Sequence, residues 1–446
     1  MINYEKYKST DVMWFPELPE HWGVFRFADE VFLRHGFQFR DYDFTDTGTK
    51  IIKISQLNPQ GYLDLENCSF IDSSRLKSFN SIRIKDGDIL MALTGGTIGK
   101  IIKVKKVEEP LLQNYRVGNF FPNEKKINKS YLFYLLASQI TELQIDYLLN
   151  RNGQPNIGKQ NFKAMFFCLP PLSEQKTIAQ YLDTKTQAID KKISLLHQKI
   201  DYYKELRQSL INDAVTKGLD KEVTLKETEI FVRVPQHWKR YRLKEIGDLF
   251  SGLSGKSGDD FRQDDDPNNK YYIPFTNIAA NTYISKDNLG SVVIEPTEKQ
   301  NKVKKGDLFF LMSSEGYEDI GKSSVLNIDL EETYLNSFCK GFRLKGQSND
   351  PHFVNYLLLS DSYRQLLIIE GKGFTRINLK MEKVNDFFVH LPPTKEEQLK
   401  IAQYLDKKTS TIDAIVNNIK EQIEKLQELR KTLINDVVIG KIKVAE

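Results

Sequence analysis

Cysteine is scarce in this chain: Cys68, Cys168 and Cys339 are the only three among 446 residues, lie far apart and follow no metal-ligand spacing. That argues against a disulfide framework or a clustered zinc site and fits a reducing compartment. A membrane helix needs some 18 uninterrupted apolar residues, and none are found. The richest stretch, Tyr131 to Leu149, is broken by Gln139, Glu142, Gln144 and Asp146. The opening MINYEKYKST has no apolar signal core, so a cytoplasmic location is expected. A strong charge of one sign is also missing. With 64 Lys and Arg against 60 Asp and Glu the balance is +4, which permits nucleic-acid binding without arguing for it. His-Glu-x-x-His, Gly-x-Ser-x-Gly and a nuclease carboxylate-lysine cluster are absent too, so the chain is expected to bind rather than to catalyse.

What the chain has is a repeat, and 40% hydrophobic residues, enough for two globular cores. Leu169 to Gly218 returns as Leu391 to Lys441. Aligned from Glu174 on Glu397 to Val215 on Val438, 21 of 42 residues are identical. In the first copy apolar residues at Ile189, Ile193, Leu196, Ile200, Tyr203, Leu210 and Ala214 follow the alternating spacing of a coiled-coil seam. In the second copy Ile412, Val416, Ile419, Ile423, Leu426, Leu433 and Val437 keep every position apolar while the surface changes. An arginine interrupts both seams, Arg207 and Arg430, either with its stem packed and its head in water or, with nearby Glu205 and Glu428, setting register. Two seams of equal length predict long helices, Thr184 to Thr216 in the first copy, packed as an antiparallel pair.

The repeat extends upstream. LPEHWGVFRF at Leu18 matches VPQHWKRYRL at Val234, and a His-Trp pair opening a domain reads as a structural lock. The fold class expected is α+β, two β-rich domains separated by the helical pair, with internal pseudo-two-fold symmetry. Segments are expected at 1–17 (entry), 18–168 (first domain), 169–218 (central helical region), 219–233 (linker), 234–390 (second domain) and 391–446 (C-terminal helical region). Strand signals stand at Thr49 to Ile54, Tyr271 to Phe275, Gly87-Asp88-Ile-Leu-Met and Gly306-Asp307-Leu-Phe-Phe. One helix follows in each domain, Ser130 to Leu149 and Pro351 to Ile369, then a Gly-rich loop. Leu-Pro-Pro closes each domain, with Ser173 expected as N-cap of the first long helix. The domains differ at LRHGFQFR (Leu33 to Arg40) and SGLSGKSGDDFRQDDD (Ser251 to Asp266), variable loops on a constant scaffold.

Gly316 to Ser323 satisfies the phosphate-loop pattern, but a strand rather than a helix is predicted after it, and Glu318 and Asp319 put carboxylates where phosphates belong. A P-loop ATPase is therefore a remote alternative; a stand-alone DNA-binding regulator is another. Leu169-Pro-Pro-Leu172 and Leu391-Pro-Pro-Thr394 lack the flanking residues of an adenine-methyltransferase motif and are read as structural.

Two β-rich domains opening with Pro-x-His-Trp, each followed by Leu-Pro-Pro, Glu-Gln, Ile-Ala-Gln-Tyr-Leu-Asp and a long helix ending Leu-Ile-Asn-Asp, resemble the DNA-specificity subunit of type I restriction-modification systems. The resemblance implies a non-catalytic subunit whose two domains each read half of a split, asymmetric sequence in double-stranded DNA. It implies that the helices act as spacer and as dock for two methyltransferase subunits, with restriction/translocase subunits joining through that assembly. S-adenosylmethionine, ATP and Mg²⁺ would then belong to the partners. The DNA-contacting residues expected are Lys100, Arg151, Gln154, Asn156 and Lys159 in the first domain, and Lys256, Arg262, Lys322, Arg376, Asn378 and Lys380 in the second. Arg and Lys suit guanine edges or phosphates, Asn and Gln suit adenine.

Overall fold

The computed structural model describes residues 3–58, 61–149, 155–230, 232–261, 266–373 and 375–444. The chain forms two units, one built from two segments, Met1–Leu196 with Lys420–Glu446, and one continuous, His197–Ile419. Among the described residues no helix is long and apolar enough to cross a membrane.

The units have the same internal plan. In the first, an antiparallel sheet runs in the order Val31–His35, Val117–Pro122, Ile89–Ala92, Ile101–Lys103; in the second, Gly247–Ser251, Cys339–Leu344, Leu308–Leu311, Ser323–Val325. The inner strands Ile89–Ala92 and Leu308–Leu311 are buried throughout, because both faces of the sheet are covered. A second sheet in each unit is mixed. Thr49–Ile52 lies parallel to Leu111–Gln113 and antiparallel to Ser69–Ile71, as Asn269–Ile273 does to Thr333–Leu335 and Gly290–Val293. The strands expected to reach Ile54 and Phe275 stop earlier: Ile54 opens a 3₁₀ turn and Phe275 a short helix.

The single helix expected in each domain is two. Lys129–Leu136 and Gln139–Leu148 break at Ser138; Pro351–Leu359 and Asp361–Ile369 break at Ser360. Both serines are fully buried and donate to a carbonyl three residues back, Leu135 at 2.6 Å and Leu357 at 2.7 Å. A serine hydroxyl bonded to the local backbone competes with the helical ladder, and the chain turns there. The segments read as entry and linker also belong to the units. Tyr7–Ser9 pairs with Glu17–Pro19, and Leu225–Glu227 with Arg233–Pro235.

The long helices are Leu172–Lys217 and Lys395–Val438, 46 and 44 residues. The first is longer than its seam suggested and starts before Ser173. Gln175 N–H bonds the Pro171 carbonyl at 2.9 Å, so Ser173 lies inside the first turn and is not the cap. The helices are antiparallel: Asp190 meets Arg430 in the first unit, and Arg207 meets Asp413 in the second. All seam positions are buried or half-buried. The interrupting arginines engage the opposite helix's aspartates, at 2.9 and 3.3 Å, rather than Glu205 and Glu428. Exposed pairs of this kind stabilise by only about 0–1 kcal/mol, so their geometry bears on register more than on stability. Four further buried residues, Ile211, Val215, Ile434 and Val438, join the cores of the β-domains.

The repeated polar residues clamp helix to domain. Glu174 accepts from Trp22 Nε1 at 3.2 Å and contacts His21 Nε2 at 2.8 Å; Glu397 does the same with Trp238 at 2.9 Å and His237 at 3.1 Å. Both tryptophans are buried. Gln175 and Gln398, also buried, each accept from the backbone N–H of the residue at the start of the domain helix pair, Asn128 and Asp350. Asp183 accepts from Tyr134 and Asp406 from Tyr356. Asn435 caps the helix that follows Ser138, accepting from Ile140 N–H at 3.1 Å; Asn212 caps the one after Ser360 through Ser362 at 3.1 Å. A motif of charged and amide residues on a helix is here a row of domain contacts.

All three cysteines are free thiols. Burial pushes Cys168 and Cys339 up to about 12, so thiolate is scarce there at pH 8. Iodoacetamide at pH 8 is expected to modify half-buried Cys68 first; mass spectrometry showing Cys168 alkylated as fast would mean that the first core opens readily.

Candidate nucleic-acid interface

In each unit the loops converge on one edge of the two sheets. Two glycines bring them together. A Cβ on Gly36 would lie 2.0 Å from the Gln113 carbonyl oxygen, and one on Gly252 2.1 Å from that of Asn336, so only glycine allows the strands to approach. The next turn is held by an asparagine in both: Asn114 Oδ1 accepts from Arg116 N–H at 3.2 Å, Asn336 Oδ1 from Phe338 N–H at 2.9 Å. The Gly-rich loop then crosses that turn's neighbour. Thr94 bridges Asn156, and Ser313–Ser314 pairs with Ile377–Asn378. The Leu93 carbonyl accepts from Ile157 N–H and the Met312 carbonyl from Leu379 N–H, both at 2.9 Å.

In the first unit Asn156 is exposed on this edge and Lys100 half-exposed on the turn after Thr97. Lys159 is exposed, with Nζ 5.3 Å from the centre of the exposed Phe32 ring. Arg151 and Gln154 lie outside the described residues. His35 stands beside Gly36; burial, with the Lys159 charge adding, lowers its pKa and keeps the imidazole neutral near pH 7. Tyr115 and Arg116, with Nε donating to the phenol oxygen at 2.8 Å, were not expected from the sequence.

In the second unit the edge encloses a cleft of about 320 Å³, lined among others by Ser313, Glu315, Asp319, Asn336, Phe338 and Arg376. The Arg376 guanidinium lies 4.7 Å from the centre of the Phe338 ring, which is half exposed. Asn378 Nδ2 donates to the Arg376 carbonyl at 3.2 Å. Lys322 is tied to Asp319 at 2.6 Å, and Lys380 is exposed at the start of the short helix Met381–Asn385. Lys256, another of the expected contacts, is held in an ion pair. Its Nζ is 2.5 Å from Glu298 and its side chain only 4% exposed, so the ammonium is already paired and turned away from solvent. Arg262 lies outside the described residues. Phe338, Asn336 and Glu315 were missed; the recurrence of Asn114 as Asn336 after matching strands was the available signal.

The phosphate-loop look-alike has the wrong surroundings. Strand Ser323–Val325 follows it, and Arg364 donates to its Ile320 and Glu318 carbonyls at 2.6 and 2.9 Å. The turn thus offers carbonyls to a cation instead of amides to an anion.

The model of the type I restriction modification DNA specificity domain matches residues 19–201 and 235–425. The chain is 25% identical over 455 residues to the putative type I restriction enzyme MjaX specificity subunit of Methanocaldococcus jannaschii, covering 99% of this chain and 97% of that one. It is 29% identical over 219 residues to the MjaVIII specificity subunit of the same organism, an alignment that spans half of that relative. In fold it is similar to a chain from a study of complex assembly and conformational transition of the type I R-M system (TM-score 0.71, 16% identity, 95% of this chain and 99% of that one). It is also similar to the HsdS subunit from Thermoanaerobacter tengcongensis (TM-score 0.53, 16% identity, 95% and 98%). With the family model matched twice, once in each repeat, the chain belongs to the type I restriction-modification DNA specificity family.

Proposed function

We propose that the chain is the recognition subunit of a cytoplasmic type I restriction-modification complex, reading one half of a split, asymmetric target with each domain. The observation that carries this reading is the contrast between frame and edge. The polar residues that clamp helix to domain recur in both copies, while the convergent loops differ, with Arg116 in one unit at the position held by Phe338 in the other and Gln154 in the sequence where the second copy has Arg376. A frame kept twice with two different edges suits two different half-sites. In this reading two methyltransferase subunits dock on the long helices and restriction/translocase subunits join through them. S-adenosylmethionine, ATP and Mg²⁺ enter with those partners, and this chain supplies DNA recognition rather than catalysis. Lys100, Asn156, Lys159, Lys322, Arg376, Asn378 and Lys380 are the described residues proposed to face the duplex.

Single-molecule sequencing of host DNA with and without the gene tests this. Deletion is expected to abolish adenine methylation at one split motif; an unchanged methylation pattern in a host whose methyltransferase subunits are expressed would overturn the reading.

A further inference from the structure

We infer that the second domain reads a G·C base pair, with Arg376 on the guanine edge and Glu315 on its paired cytosine. This rests on the proposed DNA-reading function and assigns the base pair read at one place within it.

Arg376 and Glu315 line one cleft, and neither makes an ion pair among the described residues. The arginine is held over the Phe338 ring at 4.7 Å. Stacking on a ring fixes the plane of the guanidinium while leaving its donors unused. A planar fork of donors fits the O6 and N7 acceptors that guanine shows in the major groove; adenine shows a donor in place of O6.

The carboxylates of the same turn are the second observation. Glu315 and Glu318 are exposed on an edge that would otherwise meet an anionic backbone, where they cost affinity. Asp319 is already committed to Lys322 at 2.6 Å, which leaves Glu315 as the acidic group in the cleft without a cation. An acceptor beside a guanine-reading arginine matches the N4 amino group of cytosine, the donor that distinguishes G·C from A·T on the opposite strand. Phe275 and Phe338 line the same cleft. In the first domain the aligned position is Gln154, with Arg116 aligned on Phe338, so the two edges carry different chemistry at matching places.

The test is selection from a randomised duplex pool by the full-length chain in the complex with which it co-purifies, using the natural sequence, Arg376→Gln, Arg376→Lys and Glu315→Gln. The natural chain is expected to recover two half-sites, one of them with a fixed G·C. Arg376→Gln is expected to lose about 10- to 100-fold of the preference for guanine at that one position, the range a bidentate contact supplies, and to leave the other half-site unchanged. Arg376→Lys keeps the charge but not the planar fork and should keep only part of that preference, at nearly unchanged overall affinity. Glu315→Gln should relax the same base pair. If Arg376→Lys behaves as the natural chain while Arg376→Gln weakens all duplexes alike, Arg376 holds phosphate and the inference is wrong. It is equally wrong if no position in either half-site moves. A natural chain that selects no sequence at all would instead defeat the DNA-reading function itself.

Discussion

Stopping the chain after Thr432 is expected to unfold the first unit, whose β-domain lies at the other end of the sequence. The cut removes Leu433, Ile434, Val437 and Val438, exposed by 8, 1, 0 and 0% and packed in the core that holds Trp22, Tyr131, Ile178 and Leu182. At about 1.5–3 kcal/mol for each buried aliphatic side chain, some 6–12 kcal/mol of burial is lost. That is comparable to the whole stability of a domain, about 5–15 kcal/mol. The cut also removes the Asn435 cap on Ile140 and the Val438 carbonyl that accepts from Tyr131 at 3.2 Å. Hydrogen exchange followed by mass spectrometry should show peptides around Trp22 and Tyr131 losing protection, with residues 197–419 keeping theirs. Retained protection at Trp22 would mean that the C-terminal helix is dispensable to that core.

Replacing Arg343 by Met is expected to destabilise the second unit by about 3–5 kcal/mol, the cost of stranding a buried charge. Asp307 is 1% exposed and takes both arms of Arg343, at 2.7 and 2.6 Å, besides the Lys304 N–H at 2.7 Å. The carboxylate in turn holds the Arg343 pKa above its ordinary value. Removing the arginine leaves the carboxylate in the sheet with one backbone donor. Asp307→Asn in the same chain should recover part of the loss, because an amide can be buried without charge. Urea unfolding of the single and double variants decides it: a double variant no better than Arg343→Met would show that the loss comes from the packing of the arginine stem on Phe250, whose ring lies 5.0 Å from the guanidinium carbon.

The repeat and its seam were legible because packing faces keep apolar residues at fixed spacing, and each seam position from Ile189 to Ala214 and from Ile412 to Val437 is at least half-buried. The central strands at Ile89 and Leu308 were legible as continuous apolar runs. What escaped were effects of three-dimensional neighbours. Ser138 and Ser360 break helices whose apolar pattern runs through them, since the hydroxyl's choice of a local carbonyl has no periodic signature. Lys256 looked like a basic loop residue, but Glu298, 42 residues further on, claims it. The aspartates that meet Arg207 and Arg430 were hidden for the same reason, lying on the opposite helix. At the interface the sequence pointed to the Gly-rich loops but not to Phe338 or Asn336, which are brought beside Arg376 only when three separate segments meet.

Because the first unit draws on residues 420–446, its assembly cannot follow the order of synthesis. When Leu196 has been made, Trp22, Tyr131 and Leu182 still lack their covering helix, and the 223 residues from 197 to 419 must be added first. At about 5–20 residues per second that interval is about 11–45 s. The second unit, contiguous in the chain, can close during it. Of the two units, the one whose β-domain is made earlier is therefore completed later, and in the meantime its uncovered apolar face is a surface for chaperones or for a neighbouring nascent chain.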